Sequence, residues 1–290
     1  MLIELAAGDI RVGIVDNGPH PEAAGHGGGY NGIAYLTHSA RRENLFVPRY
    51  AGMNLELYFD GIEHDRDKLF EPRRAPMTAR QTGDATVELH QPPTPEWGVE
   101  SWTTFTLTPP HYIDFHYRAL LHKDTFRDGF FGVFWASYID HPEDIAISFP
   151  AMIDREQRWV RHYSPVHGIE STHRHHADPC EIEPTGQQTV LLYGSYSPWK
   201  YTRPMYLGVS HGMSYVFMTE DNPHVRLTQS PSGGGPGSPA WDWQLVAPGT
   251  ASGDEHTLSA RVAYTPWRGI QDAEEEYDAW LRDLESPEQG

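Results

Sequence analysis

Three runs, A-T-V-E-L-H-Q (85–91), E-S-W-T-T-F-T-L-T (100–108) and Y-I-D-F-H-Y-R-A-L-L (112–121), decide the fold. Each alternates apolar and polar side chains with a period of two, the pattern of a strand with one buried and one wet face. Their connections, P-P-T-P-E-W-G (92–98) and T-P-P-H (108–111), are proline-rich, as expected of turns in an antiparallel meander. F-F-G-V-F-W-A-S-Y-I-D (130–140) follows and is apolar on both alternations, which predicts a strand covered on both faces.

Working outward, M-L-I-E-L-A-A-G-D-I-R-V-G-I-V-D (1–16) reads as two short strands around Gly8-Asp9. It carries acidic residues within its apolar run and no basic n-region, so a strand pair is expected rather than a signal peptide. Strands are expected again at I-A-Y-L-T-H (33–38) and N-L-E-L-Y-F (54–59), where alternation groups Asn54, Glu56 and Tyr58 on one face against Leu55 and Leu57. Residues 62–82 are charged and bring Arg73, Arg74 and Arg80 close in sequence. Beyond 180 the strand pattern continues through T-V-L-L-Y-G-S-Y-S, M-S-Y-V-F-M-T-E, H-V-R-L-T-Q-S, W-D-W-Q-L-V-A and T-L-S-A-R-V-A-Y to Tyr264. Ile270, Ala273, Tyr277, Leu281 and Leu284 then recur at helical spacing, predicting one amphipathic helix over about 270–284. The expected architecture is all-β, two antiparallel sheets packed as a sandwich with one C-terminal helix, in a single domain over 1–290.

Proline and glycine total 51 and are scattered, with no linker and no internal repeat, while aromatics reach 12%. A formal charge of −18 argues against nucleic acid and anionic membranes as partners, and no apolar run approaches membrane-spanning length. The expected location is cytoplasmic. Cys180 is the only cysteine, so no disulfide forms within the chain. Oligomeric state is not legible.

G-x-S-x-G and H-E-x-x-H are absent, and Cys180, between Pro179 and Glu181, lacks the basic or helix-start setting of a thiolate nucleophile. The glycine-rich loop N-G-P-H-P-E-A-A-G-H-G-G-G-Y-N-G (17–32) lacks the P-loop and dinucleotide contexts, so no nucleotide cofactor is expected. What remains is histidine, carboxylate, tyrosine and arginine chemistry, suited to moving protons at sugar carbons or oxygens. His162 to Cys180 holds five of the seventeen histidines. An extended Thr172–His176 points His173 and His175 the same way, at metal-ligand spacing; a histidine-rich polar loop or a cationic anion-binding patch is the commoner meaning of such residues.

The candidate catalytic residues are His173, Glu56 and His26, the last beside the triple glycine. A divalent metal, zinc before others, would take His173 and His175, with Glu56 and one of His26, His38, His162 or His167 completing the set. Candidate substrate contacts are Asn54, Arg74, Trp102, Trp135, Tyr138, Arg155, Trp159 and Trp241. The aromatics suit stacking on a pyranose ring, though burial statistics favour a core role for them. Arg155, Arg158, Arg161 and Arg174 against Glu156 and Glu170 form a cationic island that fits an acidic sugar, unless it pairs with the protein's own surplus acids.

The succession G-Y-N-G-I-A-Y-L-T-H (29–38), N-L-F-V-P-R-Y-A-G-M-N (44–54), the meander, and F-F-G-V-F-W-A-S-Y (130–138) resembles galactose-mutarotase-like supersandwich proteins, over roughly residues 1–265. The resemblance implies two large, mostly antiparallel sheets with a ligand cleft on a concave face. Its epimerases pair a histidine acid with a glutamate base, and those motifs match no positions here. A carbohydrate epimerase, isomerase or lyase is the expectation it supports, with a non-catalytic carbohydrate-binding protein as the alternative and a purely structural protein as a third.

Overall fold

A computed structural model describes residues 1–126, 129–179 and 194–285. Strands β1 (Leu2–Ala7), β2 (Ile10–Val15) and β3 (Gly32–His38) form a three-stranded antiparallel sheet. β4 (Asn54–Phe59) leads into a one-turn helix, α1 (Arg66–Leu69), and a 3-10 turn (Glu71–Arg73). The meander follows as β5 (Thr78–Gly83), β6 (Thr86–Gln91), β7 (Val99–Thr108) and β8 (Tyr112–Leu121). Next come β9 (Phe130–Ala136), β10 (Ile147–Ile153), β11 (Glu156–His162), β12 (Thr172–His175) and β13 (Tyr196–Tyr201). β14 (Met205–Ser210), β15 (Met213–Thr219), β16 (Val225–Ser230), β17 (Ala240–Pro248) and β18 (Glu255–Pro266) precede α2 (Ile270–Glu285).

Strands β4 to β18 are hydrogen-bonded in the order β4-β9-β17-β16-β12-β13-β10-β14-β15-β18-β8-β7-β6-β5, with β11 on β10. Among the described residues only the short β12–β13 pair is parallel. The meander pairs in register from Val99 opposite Leu121 to Thr108 opposite Tyr112, and β7 alternates buried and partly exposed throughout. Although β9 and β8 are far apart in strand order, Trp135 of β9 meets Tyr117 and Phe115 of β8 at ring-centroid distances of 4.9 and 5.7 Å. Phe217 of β15 stacks on Trp243 of β17 at 4.4 Å. The hydrogen-bonded surface therefore folds back on itself, and the two facing layers bury an aromatic core between them. The all-β architecture with a C-terminal helix is as the sequence predicts.

On the outside, α2 seats Ala273, Tyr277 and Trp280 over Met205, Leu207, Val216, Met218 and Ala263. The apolar stripe runs through Trp280 rather than the expected Leu284, which is exposed, because the helix rolls its indole onto β14 and β15. Of the expected strand 189–197, residues up to 193 lie outside those described, as does Cys180.

Candidate active site

Alternation on two neighbouring strands makes the site. Trp135 on β9 and Trp241 and Trp243 on β17 point into the core, all fully buried, so their neighbours Phe134, Ala136 and Asp242 are delivered to the opposite face. That face is the floor of a cleft of about 390 Å3, within the roughly 300–1,000 Å3 of small-molecule sites. Tyr30, Tyr50 and Tyr138 cluster along it, with ring centroids 4.6 Å (Tyr30–Tyr50) and 4.9 Å (Tyr50–Tyr138) apart.

Glu56 reaches the cleft through a β-bulge. On β4, Leu55 pairs with Trp135 and Leu57 with Phe134, so Glu56 is the extra residue. The bulge resets the alternation expected from N-L-E-L-Y: Glu56 and Leu57 both line the cleft. Tyr58 turns inward, its hydroxyl 3.4 Å from that of Tyr117. Buried Asn31 fixes the strand where the bulge begins, accepting from the Leu55 amide at 2.9 Å and donating to the Leu55 carbonyl at 3.0 Å. Asn54 accepts from the Asn31 amide at 3.1 Å and donates to the Glu56 carboxylate at 3.3 Å. The loop carrying Asn31 turns back at Gly32, where φ is +96° and a Cβ would lie 2.7 Å from the Gly52 carbonyl oxygen.

The two carboxyls of the cleft have different surroundings. Burial raises the Glu56 pKa above the ordinary carboxylate value, opposed by the positive charge of Arg73 and by hydrogen bonds from the Tyr138 hydroxyl and Asn54. Burial pushes Asp242 well above its ordinary value; the Ser137 amide, donating at 2.9 Å, works against this and the Glu56 charge adds to it. Burial disfavours the charge of Arg73, yet Glu56, Tyr138 and Tyr30 outweigh it and hold that pKa above normal. Arg73 lies 3.8 Å over the Tyr30 ring and its Nε donates to the Gly29 carbonyl. Glu56 thus has partners that favour its ionised form, while burial and the Glu56 charge both favour the protonated form of Asp242. Both carboxyls are raised by burial, but only Glu56 has a guanidinium beside it and side-chain donors on its carboxylate, which suits Glu56 to the role of base and Asp242 to that of acid.

Of the sequence-derived candidates, Glu56 and Tyr138 meet in the cleft, and Asn54 orients Glu56 from behind. His167 also lines it, its Nδ1 2.9 Å from the Ser230 hydroxyl. Arg74 borders an adjoining recess. His26 is a supporting residue: its Nε2 donates to the Tyr30 carbonyl at 2.7 Å, and burial lowers its pKa.

The others lie elsewhere. His173 is buried against Phe149 and His162, with Nδ1 2.6 Å from the Ser197 hydroxyl, and burial holds its pKa well below normal. His175 has a different set of neighbours, Asp221 at 2.9 Å and the Tyr201 ring. Neither histidine lines the cleft that holds Glu56, so the expected joint set of His173, His175 and Glu56 is not assembled. Among the described residues no three His, Cys, Asp or Glu side chains gather in a metal-ligating group. His38 uses Nδ1 to accept from the Ala40 amide, and the His162 Nε2 bonds the Glu170 carbonyl at 2.9 Å.

None of the candidate tryptophans lines the cleft. Trp135 and Trp241 are core, Trp159 donates to Glu274 beneath α2 at 2.8 Å, and Trp102 is flanked by its cross-strand partners His90 and Arg118. Arg155 is exposed at the β10–β11 turn, away from the cleft, and its neighbours Arg158 and Arg161 pair with Glu156 and Asp144.

Asp242, Arg73, Tyr30 and Tyr50 line the cleft without being among the sequence-derived candidates. Asp242 had a usable signal: a carboxylate between two tryptophans on a strand faces away from whatever buries them. The tyrosines and Arg73 come from irregular segments, where no period assigns a direction.

No protein-family model and no curated protein matches the chain. Solved structures do. A candidate aldose 1-epimerase from Escherichia coli K12 is 11% identical, with a TM-score of 0.51, covering 92% of this chain and 99% of its own. An alpha-N-acetylgalactosaminidase from Bifidobacterium bifidum, in complex with GalNAc, is 10% identical with a TM-score of 0.55; the match covers 97% of this chain and 39% of that longer one. At these identities the likeness defines the architecture: the chain has a galactose-mutarotase-like fold.

Proposed function

We propose that the protein is a carbohydrate-active enzyme of the epimerase or isomerase type, with Glu56 as general base and Asp242 as general acid. The observation that carries the proposal is the presence of two buried carboxyls, one beside a guanidinium and one without such a partner, on one aromatic-walled cleft. The sugar-processing names of the two structural neighbours agree with it. A pyranose would lay its apolar C–H face on the tyrosine cluster, with hydroxyls toward the floor. Ionised Glu56 takes the proton of the anomeric hydroxyl while Asp242 gives a proton to the ring oxygen. The C1–O5 bond breaks, C1–O1 becomes a carbonyl, and the open chain forms. Reclosure on the other face of the carbonyl returns both protons. Arg73 favours the ionised state of Glu56 before the transfer, and Tyr138 holds the carboxylate in place. The same pair serves a lyase if Glu56 takes a carbon-bound proton instead.

The tyrosine cluster alone favours a second function, sugar binding without turnover. Glu56→Gln separates the two. An enzyme loses turnover by about 10²–10⁴-fold while keeping its affinity within a few-fold. The measurement is calorimetric binding together with anomeric-exchange NMR on a panel of aldoses and their acidic derivatives. Sugars that bind but are not turned over by the unmodified protein would leave the binder.

A further inference from the structure

Beside the cleft lies a second recess of about 250 Å3, bounded by Gly29, Arg66, Phe70, Arg73 and Arg74. It shares Arg66, Phe70 and Arg73 with the cleft, so the two form one continuous depression. Three guanidinium groups converge here in a protein of formal charge −18. Glu56 faces Arg73 and Arg66 from the cleft side and offsets part of their charge, while the other nearby acids are mostly engaged elsewhere. Glu71 turns both oxygens to the amides of Glu96 and Trp97, at 2.6 and 3.0 Å. Asp65 caps α1 at the Lys68 amide, 2.8 Å, and Asp60 holds His64, 2.8 Å. Asp67 pairs with Arg74, but at the exposed rim, with 77% of its side chain in solvent. Glu63 lines the cleft and not the recess. Arg66 lies 4.8 Å over the Phe70 ring, and among the described residues no carboxylate is within ion-pair distance of it. The backbone under these arginines is fixed: Asn17 donates to the carbonyls of Pro72 and Ala75 at 2.8 Å each, and Gln91 donates to Pro72 at 2.8 Å.

Guanidinium groups held over an aromatic floor, on a braced turn, are suited to planar or tetrahedral oxyanions. We propose that the recess is an oxyanion subsite, taking the carboxylate, sulfate or phosphate group of an anionic sugar whose ring occupies the adjoining cleft. It rests on the sugar-acting function proposed above and specifies its substrate class. The anionic specificity expected of Arg155, Arg158, Arg161 and Arg174 would thereby belong to a different set of arginines.

The test is calorimetric titration of the protein, and of the double variant Arg66→Gln/Arg74→Gln, with galactose, galacturonate, galactose 6-phosphate and galactose 6-sulfate, and with inorganic phosphate and sulfate. Both substituted side chains are exposed, and a thermal melt confirms that the variant folds. At least one anionic sugar is expected to bind on the order of 10- to 100-fold more tightly than galactose, and the variant to lose that advantage. The anion with the largest gain identifies the group. Equal binding of galactose and all three anionic sugars, or an advantage that survives in the variant, overturns the subsite and leaves the sugar site standing. Binding of phosphate or sulfate alone, lost in the variant, supports the subsite and removes the sugar function. Binding of none of the six compounds overturns both.

Discussion

Asp242 is 1% exposed on β17, and the Glu56 charge nearby makes its ionisation harder still. Its folded-state pKa lies above the unfolded value. The stability it contributes is therefore complete below the ordinary aspartate range and is lost as pH rises through the folded pKa. Asp242→Asn keeps an oxygen for the Ser137 amide and removes that loss. Its Tm is expected to exceed that of the unmodified protein at pH 7, by at least about 2 °C, and the gap to close toward pH 4. Differential scanning calorimetry at both pH values checks this; a lower Tm at pH 7 would contradict the raised pKa. Activity has the opposite sign, because the acid is gone. For the enzyme itself, turnover needs Glu56 ionised and Asp242 protonated, which gives a bell-shaped pH–rate profile with both limbs above the ordinary carboxylate range. Tyr138 donates to Glu56 and favours its charged form. Tyr138→Phe is therefore expected to move the acidic limb further up; an unmoved limb would separate Glu56 from the rate. Glu56 and Tyr138 were legible as polar groups on strand faces, whereas the partner acid was obscured by the two tryptophans that flank it.

At the scale of elements, the β4 bulge is what presents a carboxylate to the cleft. Strict alternation would have sent Glu56 and Tyr58 the same way, but pairing with β9 slips by one residue, which no local pattern in N-L-E-L-Y announces. Asn31 maintains the slip through three side-chain hydrogen bonds, to both polar groups of Leu55 and to Asn17. Asn31→Ala is expected to cost about 2–4 kcal/mol in urea unfolding and to lower turnover, since buried groups of Leu55 lose their partners. The C-terminal helix provides a contrast. Trp280 covers β14 and β15 on the outer surface, away from the cleft. Trp280→Ala should cost about 3–5 kcal/mol while leaving the activity of the folded fraction unchanged. A loss of activity at full folding would mean that α2 communicates with the site. The helix was legible from its spacing of three and four, but which residue anchors it depends on the surface beneath.

For the whole molecule, the meander was plain because each strand has one wet face, so the period of two survives in sequence. The fold-back that brings β8 over β9 was not, since contacts such as Phe115 with Trp135 connect strands whose order in the sheet is set by long-range pairing. The site inherits that difficulty: β4, β9, β17 and the turn after α1 come together only once the sheet has formed. Histidine density drew attention to β12, yet His173 there is packed against Phe149 and does not line the cleft. The central claim is that a sugar sits between Glu56 and Asp242. It is tested most directly by a crystal structure of the Glu56→Gln protein with the sugar that binds most tightly to it. The expected complex has the ring against Tyr30, Tyr50 and Tyr138, with ligand oxygens within about 3.2 Å of both position 56 and Asp242. A sugar bound outside this cleft, or inside it with Asp242 out of hydrogen-bond reach, would contradict the claim.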